Sequence, residues 1–265
     1  MLSQQILRTS VSPSQISCWW LGGSGFIFKT SSGSVVYIDP YLSNSVNGIF
    51  GVERAFPPPV SPEDVRADAV ISTHWHEDHL DPGSIPVIAR NNPDGRFIMP
   101  PSATSHALSW GVKRYQVVGL EYGKVHEVKD LRIEATPARH VAGIPGWEVP
   151  DAMGVLVQAE GLTIYHCGDT EYDMRIRRLK SRSPDVAFLC INGITGNMDA
   201  HEAGLLAWHL NAKTVVPMHH YLWATTSGSA EETLDPSLFR DTYTRLGGEG
   251  RVVIPQLGEE IILSK

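Results

Sequence analysis

The chain has 265 residues, 42% of them hydrophobic and 19% charged, a composition that excludes a disordered or membrane-embedded protein. With 29 acidic against 22 basic side chains its net charge is −7, and no nucleic-acid partner is expected, because phosphate backbones are gripped by clustered positive charge. No run approaches the roughly 18 apolar residues of a spanning helix, so no membrane partner is expected either.

Met1 to Ser17 carries one arginine, many polar residues and no continuous apolar core, and does not read as a signal peptide. Three β-branched or aromatic runs follow, separated by Gly/Ser turns: Ile16 to Leu21, Phe26 to Thr30 and Val35 to Asp39 are predicted strands. Pro57-Pro58-Pro59 is too short for a domain boundary and reads as a rigid extended loop. Ser61-Pro62-Glu63-Asp64 pairs a Ser cap with Pro at the first helical position, which predicts a short helix. Ala69 to Thr73 is a brief apolar strand, and Asp81-Pro82 is expected to open a helix through about Arg90.

In the second part, Leu131 to Pro137, Gly154 to Ala159 and Leu162 to Cys167 are predicted strands. A polar, basic helix is expected over Glu171 to Lys180, and a buried strand over Asp185 to Ile191. Asp199 can cap a helix whose residues Ala203, Leu206, Ala207 and Leu210 share one face. Thr214 to Pro217 is a short strand, a helix is placed near Pro236 to Leu246, and Val252 to Ile254 and Glu260 to Leu263 close the chain as strands. With no repeat, low-complexity tract or long linker, residues 1–265 read as one domain. The three cysteines, Cys18, Cys167 and Cys190, are an odd number, widely spaced; they suggest no disulfide framework and a cytoplasmic location.

Six polar residues lie just past the end of an apolar strand: Asp39, His74, His140, Asp169, Asn192 and His219. Strand ends are where a rigid scaffold gathers polar groups at one edge, so a single shared rim is expected. The segment Thr73-His74-Trp75-His76-Glu77-Asp78-His79 carries the strongest chemistry. In extended backbone, residues two apart point the same way, so His74 and His76 can share one metal ion. If the chain then turns into a helix, Asp78 and His79 face a neighbouring position. Three imidazoles and a carboxylate suit zinc, manganese or iron. A polar loop with surface histidines would not place four potential ligands in six residues directly after a buried strand. His140, Asp169 in Cys167-Gly168-Asp169-Thr170, and His219 in Pro217-Met218-His219-His220 offer further ligands, although each taken alone is more often structural.

Taken together, these residues resemble the metallo-β-lactamase superfamily: His-x-His-x-Asp-His, a later His, an Asp and a last His appear in that order over nearly the whole chain. The resemblance implies an α/β fold, a four-layer αββα sandwich of two mixed β-sheets flanked by helices. It implies one or two divalent metal ions, with His74, His76 and His140 on one, Asp78, His79 and His219 on the second, and Asp169 bridging. His220 competes with His219 for the last place; His219 is preferred because it directly follows the strand. A narrower likeness, in Ile38-Asp39-Pro40, Cys167-Gly168-Asp169-Thr170, Asn197-Met198-Asp199 and Pro217-Met218-His219, is to the branch that contains L-ascorbate-6-phosphate lactonase. N-acyl-phosphatidylethanolamine phospholipase D relatives share some of it.

The resemblance implies a hydrolase using metal-activated water on a small-molecule substrate, a lactone of a sugar acid or related compound, with phosphodiester hydrolysis as the alternative. It allows a homo-oligomer. Redox chemistry at a di-iron site is a different class, and its members place a carboxylate where His76 stands. Asp78 would orient the nucleophile or accept its proton, Asn192 would sit in a loop (Asn192 to Asn197) lining the pocket, and His220 or His201 would give a proton to the leaving group. That loop reads equally as a Gly/Asn turn, and both histidines read more readily as surface or supporting groups. Asp39 reads equally as the partner of a ligand histidine and as a turn former before Pro40. The basic run Arg175, Arg177, Arg178, Lys180 and Arg182 reads as a solvated helix face, and Cys167 as a buried strand residue.

Overall fold

A computed structural model describes residues 1–141, 143–194, 196–224 and 235–265. The first sheet comprises β1 (Ile16–Gly22), β2 (Gly25–Thr30), β3 (Val35–Ile38), β4 (Ala69–Ile71), β5 (Arg96–Met99), β6 (Val117–Gly119) and, at its edge, the last strand Glu260–Leu263. The second contains β7 (Val125–Val128), β8 (Leu131–Pro137), β9 (Met153–Ala159), β10 (Leu162–His166), β11 (Val186–Cys190), β12 (Thr214–Met218) and β13 (Arg251–Val252). Each sheet is mixed. In the first, β1, β2 and β3 pair antiparallel and β3 to β6 run parallel. In the second, β7 to β10 pair antiparallel and β10 to β13 run parallel.

Side-chain alternation along the strands builds the layers. Cys18, Trp20, Phe26, Phe28, Val36 and Ile38 face the second sheet, where Phe26 and Phe28 meet Phe188 of β11 at ring distances of 4.6 and 5.4 Å. Their neighbours Trp19, Leu21, Ile27, Tyr37, Val70 and Phe97 face the other way. There they are covered by α1 (Leu2–Arg8), α3 (Ile85–Asn91) and α4 (Pro101–Ser109), through Ile6, Ile85, Ile88, Ala103 and Ala107. The outer face of the second sheet is covered by α5 (Met174–Arg177), α6 (Ala200–Leu210) and α7 (Pro236–Arg245). The result is the four-layer αββα sandwich. A short helix, α2 (Ser45–Phe50), stands beside the sandwich. No helix of the described residues is long and apolar enough to cross a membrane, and all three cysteines are free and buried.

Most predicted strands fall within a residue or two of the observed ones. The helix expected from Asp81 begins instead at Ile85, because the Asp81 carboxylate is taken up elsewhere. It accepts from Leu42 N, Ser43 N, Ser43 Oγ, Ser45 Oγ and Gly83 N, pinning the segment that leads into α2. The basic helix expected over Glu171 to Lys180 is shorter: Asp173 caps α5, and a 3-10 turn, Arg178–Arg182, ends at Ser183 with φ 47°. Asp199 caps α6 through a full capping box with Glu202.

The 3-10 turn is tied to β8 by a bidentate pair: Arg182 Nη1 and Nη2 lie 2.6 and 2.7 Å from the two oxygens of Glu134. The Arg182 guanidinium, with Arg132 beside it, holds the Glu134 carboxyl below its ordinary value. Such a group stabilises the fold above its unfolded pKa and loses that contribution as pH falls through the folded one. Arg182→Ala is expected to lower unfolding free energy by up to about 1 kcal/mol at pH 7, after allowing for solvent screening, in a denaturant titration. The difference should shrink as pH falls below about 4.

Candidate metal centre

Parallel register brings the strand ends together. Ile38 pairs with Ile71, His166 with Phe188, and Cys190 with Met218, so the residues that follow leave both sheets at one edge. After β4 the chain makes a single tight turn rather than a helix, with His79 N and Leu80 N both donating to His76 O. That turn points His74, His76, Asp78 and His79 inward. His140 arrives after β8, Asp169 after β10 and His219 after β12. Three overlapping groups result: His74, His76 and His140; His74, His79 and Asp169; and Asp78, His79 and His219. Within each, the ligand atoms all lie within 4.8 Å of one another.

Every histidine of the first group spends its proton away from the centre. His140 Nδ1 faces the Gly196 carbonyl at 3.0 Å and His76 Nε2 the Trp147 carbonyl at 3.3 Å, so each donates there. Thr73 Oγ1 donates to Asp39 Oδ2 at 2.8 Å and therefore accepts from His74 Nδ1 at 3.1 Å. These partners assign the tautomers. The remaining lone pairs then face each other with no proton between them: His74 Nε2 and His140 Nε2 lie 3.0 and 3.1 Å from His76 Nδ1. Lone pairs repel at that distance, and a cation among them removes the conflict. A tetrahedral ion with bonds of about 2.0–2.1 Å keeps its ligand atoms about 3.3 Å apart, close to what is seen.

The second group is carboxylate-rich. His79 Nε2 lies 3.5 Å from Asp78 Oδ2 and 3.4 Å from Asp169 Oδ2, and His219 Nε2 lies 3.5 and 3.3 Å from the same two oxygens. These spacings are long for hydrogen bonds and fit oxygen and nitrogen atoms arranged about an ion. Burial, then the imidazoles of His79, His140 and His76, hold His74 well below the ordinary histidine value. Burial pushes His76 down to about 4. Burial would also lower His79 and His219, but Asp169 and Asp78 outweigh it and hold both imidazoles up, His219 to about 10. Burial would in turn raise the two carboxyls, yet the same imidazoles keep both below the usual carboxylate range. One half of the site is thus neutral nitrogen; the other is carboxylate balanced by protons that a divalent cation would displace.

Asp39 answers to both of its readings. Its backbone is left-handed (φ 47°), as a turn requires, and its carboxylate accepts from Thr73 N at 2.7 Å and from His79 Nδ1 at 2.8 Å. His219 rather than His220 joins the cluster. The His220 ring turns away onto Trp20 at 4.8 Å, and burial pushes it down to about 4. Both His220 and Asn192 line the cavity above the centre. Asn192 is bridged to Asp199, and within the loop expected to line the pocket Ile194 and Asn197 also reach it; Thr195 lies outside the described residues. His201 stands exposed on α6, bonded to Thr242 Oγ1 at 2.7 Å. Of the basic run, Arg177, Arg178 and Lys180 line a separate surface hollow with His209, and Cys167 is a buried residue whose sulfur accepts from Cys190 N.

Sequence reasoning missed several supporting groups. Asn197 Nδ2 donates to Asp169 Oδ2 at 2.7 Å, Ser24 Oγ lies 3.3 Å from Asp169 Oδ1, and the Gly196 and Trp147 carbonyls hold ligand histidines. Backbone carbonyls leave no trace in residue identity. Gly196 does leave one, because with φ 75° a Cβ there would stand 2.4 Å from Val141 N.

Two mixed sheets carrying a His/Asp cluster at their shared edge are the αββα sandwich of the metallo-β-lactamase fold. The chain belongs to the β-lactamase superfamily, whose domain profile matches residues 17–219, and it is a metal-dependent hydrolase of that superfamily. It is 27% identical to a probable L-ascorbate-6-phosphate lactonase of Escherichia coli O127:H6, over 87% of this chain and 77% of that protein. Among solved structures it resembles a metallo hydrolase of Ignicoccus hospitalis (23% identity, TM-score 0.72, 95% of this chain and 99% of the other). It also resembles an isothiocyanate hydrolase from Delia radicum gut bacteria (22% identity, TM-score 0.71, 92% and 98%). These two likenesses are of fold.

Because Asp39 fixes His79 directly and His74 through Thr73, Asp39→Asn is expected to weaken metal affinity by about 10–100-fold with the fold intact. Competition against a chromophoric chelator, alongside circular dichroism, measures both. Unchanged affinity would make Asp39 a turn former only.

Proposed function

We propose that this hydrolase opens a small cyclic ester, as a lactonase, with residues 1–265 forming one catalytic domain. The observation that carries the proposal is the meeting of unprotonated nitrogens from His74, His76 and His140 beside the Asp78 and Asp169 carboxylates, beneath a cavity. The lactonase name of the 27%-identical relative supports the carbonyl substrate. In this reading His74, His76 and His140 hold one ion, Asp78, His79 and His219 a second, and Asp169 both. The donor set accepts zinc or manganese, and iron as well. The three free, buried thiols support a cytoplasmic setting.

When bound, a divalent ion makes hydroxide available near neutral pH and polarises the electrophilic oxygen. The chain's own residues do the rest. Asp78, 19% exposed, is the carboxylate of the cluster most open to the cavity, and is placed to accept a hydrogen bond from an attacking water and orient it. Asp169 is steered by Asn197 and Ser24, so its oxygens keep fixed directions. Asn192 and His220, on the cavity wall, are assigned to the substrate's oxygens, His220 to the leaving one.

The test is turnover of a lactone, a bis-aryl phosphodiester and a phospholipid analogue by metal-loaded protein and by His76→Ala. Lactone hydrolysis that falls to the background rate in the variant, with loss of bound metal, is expected. Turnover of the phosphodiester alone would transfer the site to that chemistry.

A further inference from the structure

The cavity over the centre has a volume of about 380 Å³, the scale of a small-molecule site. Its walls are not what a sugar phosphate would need. Five of its lining side chains, Phe50, Val52, Trp147, Ile194 and Tyr221, are large hydrophobics left 39–53% exposed. Exposed apolar side chains gathered in one concavity mark a binding surface rather than incidental exposure. Phe50, at the end of α2, and Trp147 meet across it with ring centroids 5.8 Å apart.

Beneath these residues lie two small apolar clusters separate from the main core. On one side Tyr41, Val46 and Leu222 pack with Phe56 and Trp223; on the other are Ala138, Val141, Val149 and Ala152. The first wall is fixed by backbone pairing, Ala55 N to Leu222 O at 2.8 Å and Ala224 N to Glu53 O at 2.9 Å. The second wall is joined to the metal cluster itself, since the Trp147 carbonyl receives the His76 proton. A group held against the Trp147 ring is therefore held next to the reacting centre.

Charge points the same way. The acidic side chains of the lining are Glu77, Asp78 and Asp169, and none of the described lining residues is lysine or arginine. Nor can the remaining residues supply one: Ala142, Thr195 and residues 225–234 include no basic side chain. Arg54, on the wall segment between Val52 and Phe56, donates through Nε and Nη1 to the carbonyls of Phe56, Tyr41 and Ser43, and its guanidinium lies 4.5 Å over the Tyr41 ring. A phosphate or carboxylate away from the reacting carbon would lose its hydration and meet no lysine or arginine among the described lining residues.

We infer that the cavity admits an uncharged ester or lactone with an apolar arm, packed against the touching rings of Phe50 and Trp147, and rejects phosphorylated or carboxylated substrates. The inference rests on the lactonase reading for the reacting group and on the walls for the arm. The specificity resides in Phe50, Trp147 and Ile194, and the ester carbon sits over the histidine cluster.

Two readouts on the metal-loaded protein separate the arm from the reaction. The first is calorimetric binding of δ-lactams, which resist hydrolysis, with hydrogen, propyl and pentyl arms, against a sugar δ-lactam with and without a phosphate. The second is kcat/KM for the matching lactones. Affinity and kcat/KM are expected to rise about 3–4-fold per added methylene until the cavity is filled. Phe50→Ala, which leaves the His/Asp cluster untouched, should cost the pentyl compounds roughly tenfold, equivalent to one or two methylenes, and the unsubstituted ring little. Tight alkyl-lactam binding without turnover of any lactone would uphold the pocket and overturn the lactonase reading. Lactone turnover that ignores arm length, is indifferent to Phe50→Ala, or favours the phosphate would overturn the pocket and leave the lactonase standing.

Discussion

Two imidazole nitrogens, His74 Nε2 and His140 Nε2, stand 3.0 and 3.1 Å from a third, His76 Nδ1, while the protons of the three rings are committed to Thr73, Trp147 and Gly196. Left to itself such an arrangement would relax, because buried lone pairs without a donor are costly. It persists because each ring is anchored from behind, and each anchor belongs to a different part of the fold. Much of the local structure exists to keep those anchors still: the Asp39 carboxylate with its three donors, the tight turn from His76 to Leu80, and the glycine at 196.

Holding the cluster requires backbone that L-residues avoid. Asp39, Val141, His219 and Tyr221 have φ of 47°, 47°, 60° and 52°, and all lie at the rim. Val141 is β-branched and pays the largest steric penalty, yet it is wholly buried next to His140. Local strain of this kind is tolerated where the surrounding packing over-determines the geometry. Here the two seven-stranded sheets supply that packing, with Phe26, Phe28 and Phe188 locked between them.

The metal cluster and the strands that deliver it were legible because both are written locally. Alternation marks a strand, and ligand spacing of one and two residues marks His74, His76, Asp78 and His79. What escaped is what depends on distant partners. The Asp81 helix started late because its carboxylate serves the chain around Ser43, 38 residues away. The strands Arg96–Met99 and Val117–Gly119 and the helix Pro101–Ser109 went unread, although Pro101 at the first helical position was a usable signal. Phe50 and Trp147 could not be paired from sequence, since an apolar residue at a helix end and one on a distant loop share no pattern. The residues that gather at the rim are thus readable in this family member, while those that wall the cavity above it are not.

If the histidine and aspartate atoms at the shared sheet edge enclose divalent ions, anomalous diffraction from crystals grown with zinc or manganese will locate them there. One peak is expected bounded by His74 Nε2, His76 Nδ1 and His140 Nε2, and a second by Asp78, His79 and His219, with Asp169 between them. A saturated crystal with no anomalous peak in that cluster, or with metal seated only elsewhere, would contradict it.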